Sequence, residues 1–182
     1  MLSLNTQNNI SMALAAALLS ACASYSGTGL KPGLSTTEDV LKIMGPPAMQ
    51  WKNADGSLRM SYPRGPAGPH SIMVNTSADG RLKSIGNVLE YKHFAKIVAG
   101  KTTQDEVLRI LGPSIADWTT YYKSRDELVW GWRYCEPSTQ QARFFVLFDG
   151  MNGLVRTTQS LPDYQGRDGM VPRCGEIEPL VE

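Results

Sequence analysis

The 182-residue chain has only three cysteines and two histidines, and its 18 basic side chains almost balance its 17 acidic ones. The formal net charge of +1 excludes the strongly basic surface with which proteins bind nucleic acid. The two histidines, His70 and His93, and the cysteines have no spacing typical of a metal site. The sequence therefore predicts no metal, no other cofactor and no nucleic-acid partner.

Charge is absent from residues 1–21, and this segment ends in an apolar run, Ile10 to Ala21, that only two serines interrupt. A membrane-spanning helix needs about 20 apolar residues, whereas the apolar core of a secretory signal peptide needs about 7 to 15. We therefore interpret residues 1–21 as a signal peptide. The preceding residues 1–9 lack the usual positive charge, so a wrongly assigned start and a chance apolar N-terminus stay open as alternatives.

The apolar run closes on the sequence Leu-Ser-Ala-Cys, from Leu19 to Cys22. This resembles the lipobox of bacterial lipoproteins, in which one aliphatic and two small residues precede the acylated cysteine. The resemblance implies that Cys22 carries lipid, begins the mature protein and anchors it to a membrane, with residues 22–32 as a tether. Ala23 and Ser24 follow in place of an acidic residue, which favours the outer membrane, with the protein facing the periplasm.

With Cys22 assigned to lipid, two cysteines remain, Cys135 and Cys174. An even number of cysteines in an exported protein indicates disulfide pairing, so we expect one bridge between them. The bridge would close a loop of about 40 residues and stabilise the fold by about 4 kcal/mol in the chain-entropy model. The alternative is two unpaired thiols in a reducing compartment.

The chain repeats itself at an offset of 67 residues. This shift superposes Gly33–Pro47 on Gly100–Ser114 with seven identities in 15 positions, and it carries Trp51 onto Trp118. Such agreement at one fixed offset predicts two copies of a structural unit. The expected boundaries are 33–88 for the first unit, 89–160 for the second and 161–182 for a C-terminal tail.

Each repeat predicts a short helix followed by an antiparallel sheet. Ser35 with Glu38, and Thr102 with Asp105, have the spacing of a capping box, and a Gly-Pro pair ends each helix. A further helix is expected at 89–99. Strands are expected at 48–52, 58–62, 71–75 and 82–88 in the first unit, and at 117–122, 128–134, 143–148 and 154–159 in the second. The sequence thus predicts an α+β fold of two tandem units, each with one or two short helices packed on a three- or four-stranded antiparallel sheet.

The repeated order of glycine, a Ser/Thr pair, two acidic residues, Val-Leu and Gly-Pro is similar to the motif of the SmpA/OmlA or BamE-like outer-membrane lipoproteins. That family's unit is a helix pair on a three-stranded antiparallel sheet, and BamE assists the machine that assembles β-barrels in the outer membrane. The resemblance implies a non-enzymatic accessory or structural subunit of envelope assembly that acts by protein–protein binding. The tandem arrangement also resembles the β-lactamase inhibitor proteins, which implies the alternative of a periplasmic enzyme inhibitor or binding protein.

No catalytic site is expected, because neither histidine neighbours a nucleophile motif and the acidic pairs lie in first helical turns, where they complement the helix dipole. Alternation along 128–134 places Trp130 and Trp132 on one face of a strand. If these tryptophans face the core, the opposite face of the sheet is free to contact a partner. The candidate partner-binding residues are Tyr121, Tyr122, Arg133 and Tyr134.

Overall fold

A computed structural model describes residues 27–65, 68–164 and 169–174. The expected signal peptide and Cys22 lie outside these residues. The described chain forms two α+β units in tandem, each built on a four-stranded antiparallel sheet whose strands follow one another in chain order. No helix within the described ranges is long and apolar enough to span a membrane.

The first unit consists of helix α1 and the first sheet. Helix α1 (Thr37–Met44) begins after a capping box in which Thr36 and Asp39 exchange hydrogen bonds, and it ends at Gly45. The sheet follows as β1 (Met49–Lys52), β2 (Leu58–Pro63), β3 (Ser71–Thr76) and β4 (Leu82–Asn87).

The second unit repeats this order with an additional turn of helix, α2 (Tyr91–Phe94), in front. Helix α3 (Gln104–Leu111) begins after a capping box between Thr103 and Glu106 and ends at Gly112. The second sheet consists of β5 (Thr120–Tyr122), β6 (Glu127–Cys135), β7 (Gln141–Asp149) and β8 (Val155–Pro162). Short 3₁₀ turns, Ala116–Trp118 and Lys123–Arg125, flank β5.

The predicted capping boxes are wrong by one residue in both units. The hydroxyl of Ser35 accepts from the backbone N–H of Lys31, and its carbonyl accepts from the N–H of Leu82 in β4. Thr102 is engaged in the same way by the N–H groups of Val98 and Val155. The last strand of each unit therefore hydrogen-bonds to the residue predicted to be the N-cap. The threonine that follows it, Thr36 or Thr103, is the N-cap instead.

Two predicted elements are shorter in the structure than the sequence indicated. The helix expected at 89–99 is a single turn, after which i→i+3 hydrogen bonds continue the chain and bury Phe94 and Ile97 in the core. The strand expected at 117–122 starts at Thr120, because a 3₁₀ turn at Ala116–Trp118 places the tryptophan over the second sheet.

Each helix packs its predicted apolar stripe on the sheet of its own unit. Val40 and Met44 of α1 are fully buried against β2, β3 and β4, and Val107 and Leu111 of α3 are fully buried against β6 and β7. Burial of such a side chain contributes about 1.5–3 kcal/mol. Packing on a sheet thus stabilises helices of eight residues, which are marginal alone.

Helix α3 also packs on the far face of the first sheet. Leu108 contacts a small cluster of Trp51, Met73 and Val88. The guanidinium of Arg109 lies 5.7 Å from the centre of the Trp51 ring, and the carbonyl of Arg109 accepts a hydrogen bond from Arg59 Nε in β2. The layers therefore run α1, first sheet, α3, second sheet.

Gly112 is the point of closest approach between α3 and the first sheet. Its φ of 78° lies in the left-handed region, and a Cβ there would stand 2.3 Å from Ser61 Oγ and 2.8 Å from Ser71 Oγ. Both distances are below van der Waals contact. Gly112 is thus needed for its backbone conformation and for its lack of a side chain.

We predict that Gly112→Ala destabilises the fold by about 3 kcal/mol, because a side chain at this positive φ costs about 1–3 kcal/mol and overpacking about 1–3 kcal/mol. Gly33→Ala is the matched control, since Gly33 has φ 79° but open space around its Cβ position. It should lose only the conformational part. Urea unfolding of both variants measures the difference, and equal losses would contradict the close approach of α3 to the first sheet.

Candidate interaction surface

The second sheet has one face that α3 does not cover, which we call the open face. Strands β6 and β7 alternate: their even-numbered residues, among them Trp132 and Phe144, face α3, and the odd-numbered ones face away. Away from α3, Trp118 and the nearby odd-numbered residues form a surface whose side chains are half-buried or exposed. Its members are Trp118, Val129, Arg133, Arg143, Phe145, Leu147, Thr157, Gln159 and Leu161.

Two arginines, one tryptophan and one carboxylate form the centre of this surface, the arginine–tryptophan cluster. The guanidinium carbons of Arg133 and Arg143 lie 5.1 Å and 4.5 Å from the centre of the Trp118 ring. Each arginine donates from Nε to a different oxygen of Asp163, at 2.6 Å and 2.5 Å. The side chain of Asp163 is fully buried, while those of Arg133 and Arg143 keep 18% and 32% of their surface exposed.

The described part of the cluster holds two guanidinium groups, one carboxylate and the Trp118 ring. Stacking on Trp118 and pairing with the buried Asp163 hold both arginines in a fixed orientation. A planar guanidinium also carries N–H donors besides Nε. The cluster is thus a preformed arginine-rich centre beside the apolar side chains of Val129, Phe145 and Leu147, a combination suited to a partner with carboxylate and apolar groups.

Gly131 allows Trp118 to lie on the sheet. A Cβ at Gly131 would stand 2.9 Å from Trp118 Cβ and 2.8 Å from the Phe145 ring. The carbonyl of Gly131 also accepts from the N–H of Ile115, which fixes the 3₁₀ turn carrying the tryptophan. A residue without a side chain at the middle of β6 therefore makes the room for the centre of the open face.

The repeat-related surface of the first sheet is built differently. There Trp51 is 9% exposed, and the guanidinium of Arg109 in the neighbouring helix α3 stacks on its ring. Trp118 instead receives two arginines from its own sheet. The arginines that stack on the tryptophan thus come from the second sheet itself, whereas in the first unit the arginine comes from the following unit. The outer surface of the second sheet therefore stays accessible.

The structure separates the four residues proposed from sequence. Arg133 lies in the arginine–tryptophan cluster, and Tyr122 lies at the edge of the open face, 42% exposed, with Arg125 over its ring at 4.4 Å. Tyr121 points to the other side, is 54% exposed and donates its hydroxyl to Asp126. All three are on the surface, although only two share a face.

Tyr134 is a correction to the sequence-based proposal. It is fully buried in the core of the second unit, because it shares the strand parity of Trp132, and its hydroxyl bonds to Glu136 and Tyr91. Burial also raises the pKa of Tyr134. This residue cannot contact a partner without unfolding the unit.

Sequence reasoning missed Arg143 and Asp163 as members of the site. Alternation of Arg143, Phe145 and Leu147 with the apolar even-numbered residues of β7 was a usable signal for Arg143. Asp163 lies in the segment interpreted as a tail, where no periodicity indicates a role. In the structure that segment returns along the sheet.

The Cys135–Cys174 disulfide expected from the sequence is present and supports this return. The two Cα atoms are 6.0 Å apart, and the N–H groups of Gln141 and Cys174 bond to the carbonyls of Pro172 and Thr139. Residues 172–174 therefore extend the sheet beside the hairpin between β6 and β7. Cys135 is two residues from Arg133, so the bridge reinforces the side of the sheet on which the arginine–tryptophan cluster lies.

A cleft of about 100 Å³ lies between the units, lined in part by His70, Ser71, Pro113 and Arg133. It has room for a few water molecules, whereas sites for drug-sized ligands have about 300–1,000 Å³. His70 Nε2 lies 4.0 Å from Cys135 Sγ of the disulfide. Among the described residues no cluster of three or more potential metal ligands occurs. The cleft therefore lies at the contact between the two units.

No family model, curated protein or solved structure matches this chain.

The pH dependence of stability follows from His70. Burial lowers its pKa, and the charge of Arg64 lowers it further against the opposing effect of Glu90. The unfolded chain thus binds a proton more readily than the folded one, so stability falls as pH falls from about 7 through the pKa of an ordinary histidine, about 6.5.

We predict that His70→Gln reduces the loss of stability between pH 7.5 and pH 5.0. Part of the loss of stability should remain in this variant, because burial also lowers the pKa of His93. Urea unfolding at both pH values measures the effect, and an unchanged difference would show that His70 titrates normally in the folded protein.

We also predict that Asp163→Asn lowers stability by about 3 kcal/mol, because it removes the charge of the buried carboxylate that pairs with both Arg133 and Arg143. Asp117→Asn, an exposed substitution next to Trp118, is the control and should change stability little. Thermal unfolding followed by tryptophan fluorescence reports both. Equal behaviour of the two variants would contradict a structural role for Asp163.

Proposed function

We propose that this chain is an exported lipoprotein of the bacterial envelope that acts without catalysis, by binding another protein through its open face. The observation that carries this proposal is the arginine–tryptophan cluster, in which two arginines are held on one tryptophan among half-buried apolar side chains. Large aromatic residues and arginine are the side chains that most often dominate protein–protein binding. A preformed surface of this kind needs little reordering on association.

The expected lipid anchor would determine where in the cell the binding surface lies. A lipid on Cys22 would hold the protein at the periplasmic side of the outer membrane, and two or more acyl chains suffice for stable attachment. The Cys135–Cys174 bridge is consistent with an oxidising compartment of this kind. The resemblance to BamE-like lipoproteins favours an accessory or structural role in envelope or outer-membrane protein assembly.

The expected partner is a protein that presents carboxylates next to apolar groups. Its carboxylates would accept N–H donors from Arg143, the more exposed of the two arginines, and its apolar side chains would cover Phe145 and Leu147. Charge-assisted pairs of this type contribute most when the apolar surroundings exclude water.

Two adjacent tyrosines test which face binds. We predict that Tyr122→Ala weakens capture of the partner by about tenfold, because tyrosine is enriched among the contact residues whose truncation costs more than about 1 kcal/mol. Tyr121→Ala, at the next residue but on the opposite side of β5, should leave capture unchanged. The full chain, expressed in cells with each substitution, is crosslinked and its partners are quantified by mass spectrometry. Equal capture by both variants would place the contact elsewhere.

The same experiment tests the wider proposal. Recovery of an envelope assembly complex, together with increased sensitivity to large antibiotics in cells that lack the chain, supports an assembly role. Recovery of a lysozyme or β-lactamase, inhibited on titration, would favour the enzyme-inhibitor alternative. Normal permeability with no specific partner would overturn the proposal.

A further inference from the structure

Strand β8 is the outer strand of the second sheet, and its middle is unpaired on one side. The N–H of Asp163, just beyond the strand, donates to the carbonyl of Gln141, the first residue of β7. The N–H and C=O of successive residues in an antiparallel strand point alternately to its two sides. Because those of Asp163 point to β7, the groups of residues 157, 159 and 161 do so as well. The N–H and C=O groups of Thr158 and Ser160 therefore point outward, away from the sheet. No backbone among the described residues pairs with these outward groups.

Both ends of β8 are closed to a further strand. At its start Val155 exchanges hydrogen bonds with Gly100 and Thr102, and the register with β7 is shifted there by a bulge. At its end Pro162 has no N–H to donate. These features confine any additional strand to the segment 157–161 between them.

This segment lacks the charges with which proteins usually protect an edge strand. Its sequence is Thr-Thr-Gln-Ser-Leu, and all five residues are exposed. The other edges differ: β1 and β4 carry Lys52 and Lys83, and β5 has three residues. The outer side of β4 is further occupied by the main chain of residues 33 and 35, which bonds to Leu82.

We propose that two copies of the chain pair through β8, antiparallel, about a two-fold axis at Gln159. On each side of the axis, Thr158 exchanges N–H···O=C bonds with Ser160 of the other copy, which uses the outward main-chain groups of both residues. The segment is complementary to itself, because threonine faces serine, glutamine faces glutamine and no like charges meet. A second copy is therefore the occupant to which this edge is best matched.

The pairing joins two four-stranded sheets into one continuous sheet. The side chains of Thr157, Gln159 and Leu161 belong to the open face, so both arginine–tryptophan clusters come to lie on the same side of the dimer. The pairing itself uses only main-chain groups at the edge. It can therefore form whether or not the proposed partner of the open face exists.

The first experiment removes an outward donor. Thr158→Pro deletes an N–H that the pairing with β7 does not use, and proline is tolerated at strand edges, so the fold should persist with its disulfide intact. Thr158→Val, which keeps the N–H, is the control. Analytical ultracentrifugation of the full chain in mild detergent should show a dimer for the natural chain and for Thr158→Val, and a dimer Kd at least about tenfold higher for Thr158→Pro.

The second experiment locates the axis. Gln159→Cys places two thiols opposite each other at a non-hydrogen-bonded pair, where Cβ atoms come within about 4.5–5.5 Å, near the range of a disulfide. Gln50→Cys, an exposed glutamine on β1, is the matched control. Oxidation in membranes should give a homodimer from Gln159→Cys alone.

Three outcomes would overturn the pairing: a natural chain that is monomeric at every concentration, equal crosslinking of the two cysteine variants, or a bond from position 159 to a different protein. Failure of the proposed function is distinguishable from this. An intact dimer without an envelope partner would reject the function and leave the pairing in place.

Discussion

Helix α3 must pack on two sheets at once, and this requirement determines the side chains around it. One side of the helix buries Val107 and Leu111 in the second unit, and the other brings Leu108 and Gly112 onto the first sheet. Ser61 Oγ and Ser71 Oγ, which face Gly112, are buried and have no hydrogen-bond partner among the residues that the structure describes, at a cost of about 1–3 kcal/mol each. Small side chains are retained despite that cost, because bulkier ones would push the helix off the sheet and lose the apolar contacts on both sides.

The same requirement explains why the two repeats differ in structure although their sequences match. Leu41 and Leu108 occupy equivalent positions, but Leu41 is 42% exposed because no sheet in the described chain lies outside α1. At the other end no helix of the described residues follows the second sheet, and there Trp118 lies across Gly131 and two arginines of the same sheet stack on it. Polar groups commonly occupy the outer face of a repeat where no neighbouring repeat packs.

The features that local rules determine were predictable from sequence. The repeat, the Gly-Pro helix ends, the apolar stripes, the strand order and the facing of Trp132 follow from spacing and alternation. The capping residue did not follow from the sequence, because Ser35 and Thr36 are both good N-caps. The hydrogen bond between Ser35 and Leu82 of β4, which are 47 residues apart, decides between them. Asp163 was equally out of reach: a lone carboxylate in a tail gains its role only where the chain returns to two arginines.

Face and edge of the second sheet use different chemistry, so both can be occupied together. A partner on the open face contacts side chains, whereas a second copy at β8 contacts main-chain groups of Thr158 and Ser160. Pairing of two copies would present two open faces side by side on one sheet. A partner with two matching segments would then bind both faces, with a far higher effective affinity than one face gives alone. If Cys22 is lipidated as proposed, pairing would also double the number of acyl anchors. A modest surface around one arginine–tryptophan cluster could then hold its partner for long times without a larger interface.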